Sequence, residues 1–358
     1  SVSVYCFHHG YMGGENLLRY SSTCKEKFNV DIDGTELSSY DGYSLHEFKY
    51  DSNNSTSNQT IYTINVYETI IVDFLLIAGG GGGGRASNAG GGGNSFETGG
   101  GGAGELIYQT NITFNIGTYT IKIGNGGPER VATTDVGGYD SSIIGSGLNN
   151  TYNSSINGYI AKGGQGGGLR GNNAPGSPAG GSGGGTGFSN QMPRPTMTSA
   201  SGTIPANDYA NFNPSNTPNE VGYFGNVGAP ASAGPSAAYY AGGGGGAGGI
   251  PVNSSQTNAS GGVGKQYNIR DNTNMIYYAG GGGGGNLYEA DGGLGGSGNG
   301  GHGSGSDATG DDASPHTGGG GGGSYSGGGG GSGGSGLIIL RYKSVSYTHL
   351  TLPTKDSV

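Results

Sequence analysis

The residues that could bind a metal ion are few, and their spacing is unfavourable. The dipeptide His8-His9 has only Cys6 nearby as a further ligand, which falls short of a zinc site. Asp307, Asp311 and Asp312 lie in a Gly/Ser-rich stretch without the period and the apolar residues of a calcium-binding glycine-aspartate repeat. Solvated side chains are the better interpretation of both groups, and we predict no metal site.

No catalytic or nucleotide site is predicted either. His316 follows Pro315, but no Ser-His-Asp or paired-carboxylate arrangement can be assembled around it. Phe74–Gly84 is a strand followed by glycines, which is how a phosphate-cradling turn begins. A helix must come next, whereas Arg85–Ala89 shows no helical spacing of apolar residues and leads into four more glycines. We therefore expect a protein without enzymatic activity and without a cofactor.

Composition narrows the class of protein. The 358 residues include 87 Gly and 13 Pro, a level typical of low-complexity sequence. However, 24 Tyr and a charged fraction of only 11% favour an ordered fold over a self-repelling disordered chain. The net charge is −9 and Lys and Arg stand singly, which argues against nucleic-acid binding. Because no apolar run reaches the length of a bilayer span, membrane insertion is not expected.

A β framework must position whatever function the chain has. Val72–Ala78 is apolar except at Asp73 and runs directly into Gly79–Gly84, and Leu337–Tyr342 is a matching strand that follows the last glycine tract. The other predicted strands are Thr60–Val66, Glu105–Tyr108, Asn111–Ile116, Thr118–Ile123, Ser141–Ile144 and Tyr159–Lys162. No convincing amphipathic helix is found, so we predict a mostly β fold with almost no α-helix.

The predicted domain organisation follows the glycine content. Residues 1–50 lack glycine runs and are interpreted as the tail of a preceding module, residues 51–59 as a linker, and residues 60–342 as one glycine-rich domain. Cys6 and Cys24 are either a disulfide pair or two unrelated thiols, and we favour the disulfide.

The glycine tracts have two possible interpretations. In the extended polyproline II geometry, with three residues per turn, every N–H and C=O points outward, so tracts without Cβ atoms can pack closely and bond laterally. The alternative is a flexible linker. The tracts are enclosed between paired apolar strands, so we favour a rigid lattice. Its structural residues are expected to include the ends of three tracts: Gly79 and Gly84, Gly242 and Gly246, Gly280 and Gly285.

Aromatic residues are the best candidates for either packing or recognition. Tyr239-Tyr240-Ala241 and Tyr277-Tyr278-Ala279 each precede a glycine tract, which suggests one structural unit used twice. We interpret Tyr239, Tyr240, Tyr277 and Tyr278 as a plug that seals the end of the lattice, unless those ends are an exposed tip. The glycine-poor, Pro-containing segment 186–240 is the predicted recognition loop. Its candidate residues, which could equally pack the loop onto the sandwich, are Phe188, Tyr209, Phe212, Tyr223 and Phe224.

The order of these features resembles a known family. A strand into polyglycine at Phe74–Gly84, glycines before Glu105, Thr118–Gly124 and the final Gly336–Tyr342 are similar to the glycine-rich domain of large-virus and phage surface proteins and of anaplastic lymphoma kinase-type receptors. The resemblance covers roughly residues 60–342. It implies a jelly-roll-like β-sandwich with an inserted bundle of polyglycine II helices. No single binding residue aligns with a family motif.

The resemblance also implies a function. In phage tail-fibre adhesins such lattices carry loops that contact a host receptor, and in the receptor kinases the region binds a protein ligand. We therefore expect an extracellular or virion-surface adhesion module for a cell-surface glycan or protein receptor. A homotrimer within a fibre is one arrangement that the analogy allows. The alternatives are a structural spacer or coat protein without a specific ligand, and the ectodomain of a receptor.

The C-terminus shows a second resemblance. Val345–Thr354 is similar to a translated sequencing adapter, so residues 345–358 are expected to be an assembly artefact. Because the chain also begins at Ser1 without Met, we expect a metagenomic fragment.

Overall fold

The computed structural model describes most of the glycine-rich part of the chain. The described residues are 28–30, 36–40, 42–86, 96–131, 137–148, 157–169, 181–189, 217–233, 239–251, 260–286, 292–305 and 308–343. The predicted Cys6–Cys24 disulfide, the candidates Tyr209 and Phe212, and residues 345–358 lie outside these ranges. For Phe188, Tyr239 and Tyr240 the description covers the strand and not the side chain.

The described chain is built from strands, which confirms the mostly β prediction. The strands are β1 Phe28–Val30, β2 Glu36–Tyr40, β3 Tyr43–Lys49, β4 Ser55–Thr56, β5 Gln59–Val66, β6 Ile70–Ile77, β7 Phe96–Glu97, β8 Leu106–Phe114, β9 Gly117–Gly124, β10 Ser141–Gly145, β11 Gly158–Ala161, β12 Phe188–Ser189, β13 Gly222–Phe224, β14 Ser232–Ala233, β15 Tyr239–Tyr240, β16 Lys265–Tyr267, β17 Ile276–Tyr278 and β18 Leu337–Lys343. One turn of 3-10 helix, Ser52–Asn54, is the single helical element of the described ranges. These ranges contain no helix with the length and apolar character needed to cross a membrane.

Two antiparallel sheets form a sandwich. Sheet 1 has the order β1-β5-β9-β10-β11, with β4 paired to β5, and sheet 2 has the order β13-β8-β6-β18-β3-β2. The chain passes from sheet 1 to sheet 2 between β5 and β6 and returns between β8 and β9. The jelly-roll-like connectivity implied by the resemblance stays a prediction.

The two strands that frame the glycine tracts pair with each other, as predicted. β18 lies beside β6 in sheet 2, with Leu337 opposite Ile77 and Tyr342 opposite Val72. Both faces of this sheet are covered. One face packs against sheet 1 in a core that includes Phe74 and Leu76, and the other contributes Leu75 to a second buried cluster. Burial on both faces explains why β6 reads as a continuous apolar run.

Sheet 1 shows alternating burial along its strand β5. In β5 the residues Thr60, Tyr62, Ile64 and Val66 are buried and alternate with exposed or half-buried neighbours. This alternation is typical of a sheet with one face in the core and the other toward solvent. The two strands predicted at 105–108 and 111–116 are instead one strand, β8. A β-bulge opposite Val72 and Phe74 interrupts its register, which explains the apparent break.

The N-terminal domain boundary requires a correction. The glycine content predicts that Tyr43–Lys49 belongs to a preceding module, but this segment is β3 and pairs with β18 inside sheet 2. Its Leu45 and Phe48 are buried in the two core clusters. The predicted linker at 51–59 contains β4, which pairs with β5. The sandwich therefore begins before residue 60, because a strand without glycine runs can still belong to the same core.

Candidate functional site

The glycine tracts are buried and bonded to one another. All six residues of Gly79–Gly84 are buried. Gly81 donates its amide to the carbonyl of Gly102 at 2.8 Å, and Gly83 donates to Gly331 at 2.8 Å. Because the partners lie in different tracts, the contacts link distant parts of the chain. We call this bonded set of tracts the glycine lattice; it comprises residues 79–84, 98–104, 163–168, 181–187, 241–249, 279–285, 318–324 and 327–336.

Hydrogen bonds between two given tracts recur every third residue. Gly81 and Gly84 donate to Gly102 and Gly99, which lie three residues apart on a neighbouring tract. In the same way Gly80 and Gly83 donate to Gly334 and Gly331. A period of three means that successive residues of a tract face different neighbours, as in an extended helix with three residues per turn. One tract is thus bonded on several sides at once, unlike a strand in a sheet.

Close approach makes glycine necessary in the lattice. A Cβ atom on Gly320 would collide with the carbonyl oxygen of Gly101 and would lie 2.9 Å from the amide nitrogen of Gly282. Contacts this short to backbone atoms cannot be relieved by turning a side chain. Several tracts therefore pack at distances that only glycine allows.

The lattice has two ends of different character. At the sandwich end, Ala78 donates to Glu105 at 3.1 Å and Glu105 donates to Lys162 at 2.8 Å, next to β6, β8 and β11. At the distal end, Gly84 donates to Gly99 at 3.0 Å and Gly285 donates to Thr98 at 2.9 Å. Phe96, Ala233, Tyr239 and Asn286 lie at this end as well.

The two tyrosine motifs lie at opposite ends of this lattice. Tyr278 is buried in the second core cluster against sheet 2, which is consistent with a plug at the sandwich end. Tyr277 beside it is half-buried and lines a cavity. Tyr239 and Tyr240 form β15 with β14 at the distal end, where Ala241 donates to Gly285 at 3.4 Å. The four tyrosines therefore do not form one plug.

One recognition-loop candidate is corrected by the structure. Phe224 ends β13, an edge strand of sheet 2, and its ring is buried with the ammonium of Lys265 at 4.1 Å from its centre. A ring in the core cannot contact a ligand. Tyr223 is half-buried and packs against the core between the sheets. Phe188 lies in β12 at the distal end, where it pairs with Glu97 of β7.

Two cavities lie beside the lattice, and sequence reasoning missed both. The first, of about 610 Å³, is lined by Tyr277, the glycine-rich stretch 295–301, His302 and Asp311. The second, of about 640 Å³, is lined by Tyr50, Asn125 and His316. Asp312 lines both. No sequence signal joins these residues, because they come from segments far apart in the chain.

Outside the first cavity, burial shifts the pKa of one carboxyl group and two histidines, among other groups. It raises the pKa of Glu97, at the distal end, to about 7 and lowers that of His46, in β3, to about 4. Burial likewise lowers the pKa of His316. The Nδ1 atom of His316 lies 3.1 Å from the Oγ of Ser335. Within the ranges that the structure covers, no group of three His, Cys, Asp or Glu side chains is arranged to hold a metal ion.

Comparison with known proteins agrees with the architecture. The model of a glycine-rich domain family matches residues 55–343, which is most of the chain. Comparison with curated proteins returns no match. The matched range begins at β4 and ends with β18, so it includes the framing strands β6 and β18 and every tract of the glycine lattice. The chain belongs to this glycine-rich domain family.

Proposed function

We propose that the chain is a non-enzymatic binding module that presents recognition elements on a rigid polyglycine scaffold. The observation that carries this proposal is the three-residue period of the bonds in the glycine lattice, with Gly81 and Gly84 donating to Gly102 and Gly99. This period fits polyglycine II helices, each bonded laterally to several neighbours. Such a scaffold holds its distal end at a fixed distance from the sandwich. We place the module at a cell or virion surface, with a glycan or a protein receptor as its partner.

The distal end supports the recognition role. Two short strand pairs lie there, β7 with β12, which contains Phe188, and β14 with β15. Loops on a rigid support are the usual carriers of binding residues, because the support fixes their position without restricting their sequence. Residues 190–216 connect this end to Thr217, whose carbonyl lies 3.5 Å from the Nζ of Lys265 next to β17.

The test is replacement of residues 190–216 by a Gly/Ser linker of 12 residues, which can span roughly 40 Å at about 3.3 Å per residue. We expect loss of binding to a panel of bacterial and animal cells, with an unchanged thermal midpoint. The matched control replaces residues 149–156, between β10 and β11 of the sandwich, with Gly/Ser of equal length. If both variants bind as the parent does, the assignment of residues 190–216 as the recognition segment is wrong.

A structural spacer is the second candidate. The dense hydrogen bonding of the lattice also favours a spacer, because a stiff rod can hold two parts of an assembly apart without binding a ligand. Absence of parent binding to every cell type and every immobilised glycan or protein tested would support the spacer and overturn the binding module.

A further inference from the structure

The two cavities beside the lattice are neighbours with similar chemistry. Each is lined by one tyrosine and one histidine, Tyr277 and His302 in the first and Tyr50 and His316 in the second. Asp312 belongs to the lining of both. Their volumes, about 610 and 640 Å³, fall within the range of about 300–1,000 Å³ that is usual for ligand sites.

The first cavity offers polar groups that the fold does not use. The carboxylate of Asp311, the hydroxyl of Tyr277 and the hydroxyl of Ser314 make no hydrogen bond within the described residues. The Nδ1 atom of His302 accepts from the amide of Gly295 at 3.2 Å. The neutral ring therefore carries its proton on Nε2, which is left as a donor. Met275, 42% exposed, adds an apolar wall.

The second cavity has a comparable set. The side chain of Tyr50 is half-buried, and its hydroxyl donates to Ser55 at 3.1 Å, which fixes the ring. His316 is held at Nδ1 by Ser335, so its Nε2 is again the remaining ring atom for a ligand. Asn125 contributes an amide to the same wall.

The segment 312–314, whose residues line one or both cavities, is held by hydrogen bonds on both sides. Ser314 donates its amide to the carbonyl of Asn299 in the first cavity, at 3.1 Å. Ala313 donates to Ser332 in the second, at 2.9 Å. Asp312 also accepts from the amide of Ser332 at 2.6 Å through one carboxylate oxygen, leaving the other available. The groups are therefore in place before any ligand binds, which reduces the entropy lost on binding.

This set of groups matches a sugar better than other small ligands. Carboxylates accept hydrogen bonds from vicinal hydroxyls, His and Tyr donate to ring and hydroxyl oxygens, and an aromatic or thioether wall covers the C–H face. The first cavity has Asp311 and Asp312 and neither Lys nor Arg in its lining, and the second has Asp51 and Asp312 beside one lysine, Lys49. That charge disfavours phosphate, sulfate and carboxylate ligands.

We propose that the two cavities are adjacent subsites for a neutral oligosaccharide, with Asp312 between the two bound sugar rings. This inference rests on the proposed binding function and names its ligand class. It also places a binding surface along the side of the lattice, separate from the distal end.

The test uses the full chain and immobilised neutral trisaccharides of glucose, galactose, mannose and N-acetylglucosamine, with sialylated and sulfated trisaccharides for comparison. We expect binding to at least one neutral trisaccharide and weaker binding to its monosaccharide, because the monosaccharide fills one subsite. Asp311→Asn and Tyr277→Phe should each reduce affinity at least tenfold. Glu129→Gln, the same acid-to-amide change at a site outside both cavities, should leave affinity unchanged.

Thermal midpoints of all variants separate loss of binding from loss of fold, and because Asp311 is exposed, Asp311→Asn should keep the thermal midpoint of the parent. Binding that persists in both cavity variants overturns the site but leaves the binding module intact. If the chain binds cells but no neutral trisaccharide, the sugar site is likewise overturned and the binding module is again left intact. Binding to neither overturns the site and the proposed function together.

Discussion

The amide of Gly244 donates to the carbonyl of Gly282 at 2.8 Å, and this bond joins the two glycine tracts that follow the Tyr-Tyr-Ala motifs. Three residues away, Ala241 donates to Gly285, so the two tracts run antiparallel. The copies also differ locally, because Ala279 has a left-handed backbone with φ 56°. The same short sequence therefore enters the lattice from opposite ends, and its tyrosines have different neighbours.

The first prediction concerns close packing in the lattice. Gly320→Ala should lower the free energy of unfolding by about 3 kcal/mol, because the new methyl group meets the backbone of Gly101 and Gly282. The measurement is chemical denaturation followed by tyrosine fluorescence.

Gly225→Ala is the matched control for this prediction. Gly225 is also buried, but a Cβ there would lie 3.4 Å from its nearest neighbours in Gly181 and Ser182, which is ordinary contact. Its stability should stay within about 1 kcal/mol of the parent. Equal stability of the two variants would contradict the packing described here.

The second prediction concerns the amide protons of the tracts. Gly81, Gly101 and Gly282 each donate to a carbonyl at 2.8 Å inside the lattice, so their native-state hydrogen exchange should be slow. Gly42, in an exposed turn, should exchange rapidly and serves as the internal reference. Residue-resolved exchange by NMR makes the comparison. Fast exchange at all three lattice positions would mean flexible tracts and would remove the basis of the rigid scaffold.

The sequence was most informative where side chains set the structure. The apolar run of β6 predicted a buried strand with a matching partner, β18, and the alternation in β5 predicted a half-buried strand. The arrangement of the glycine tracts could not be predicted in the same way. Gly79–Gly84 and Gly280–Gly285 have identical sequences, so nothing in them specifies neighbour, direction or register.

Glycine content was also a poor guide to boundaries. It placed β3 outside the domain and Phe224 in a recognition loop, although both lie in sheet 2 and its core. The cavities were missed for a related reason. Asp311 and His316 looked isolated in the sequence, and their neighbours in the cavities come from tracts and strands that only the fold brings near.

The third prediction concerns the single polar break in β6. Asp73 lies opposite Arg341 of β18, and their side chains form an ion pair at 2.8 Å with 18% and 12% of each side chain exposed. Asp73 also accepts the amide of Asn111 at the β8 bulge, at 2.9 Å. Asp73→Ala removes the ion pair of Arg341, which keeps its hydrogen bond to Asn272, and leaves the amide of Asn111 without its acceptor. It should cost about 2 kcal/mol of unfolding free energy.

The exposed pair between Arg85 and Glu129 provides the control for this variant. Their atoms are 3.4 Å apart and 46% and 35% of the two side chains are exposed. Arg85→Gln should change stability by less than about 0.5 kcal/mol, since solvent screens such pairs. Both variants are compared by chemical denaturation at the same pH and salt concentration. A larger loss at Arg85 than at Asp73 would be inconsistent with the different burial of the two pairs.

The fourth prediction concerns Glu97, which is 1% exposed and whose two carboxylate oxygens have no hydrogen-bond partner among the described residues. Burial raises its pKa from an ordinary value of 4.5 to about 7, so the folded state holds this proton more tightly than the unfolded state. Stability from this group is therefore complete below pH 4.5 and falls as the pH rises to 7. The loss should reach about 3 kcal/mol, and Glu97→Gln should abolish it.

His46 has the opposite pH dependence and must be separated from Glu97. Burial lowers its pKa from 6.5 to about 4, so acidification protonates the unfolded state first, and stability falls as the pH drops from 6.5 to 4. The parent and Glu97→Gln both contain His46, so its contribution cancels in the difference between their unfolding free energies measured from pH 4 to pH 8. That difference should grow between pH 4.5 and 7 and then level off, with the variant more stable at pH 8. A difference that stays flat across this range would show that the Glu97 carboxyl titrates normally in the folded protein and has access to water.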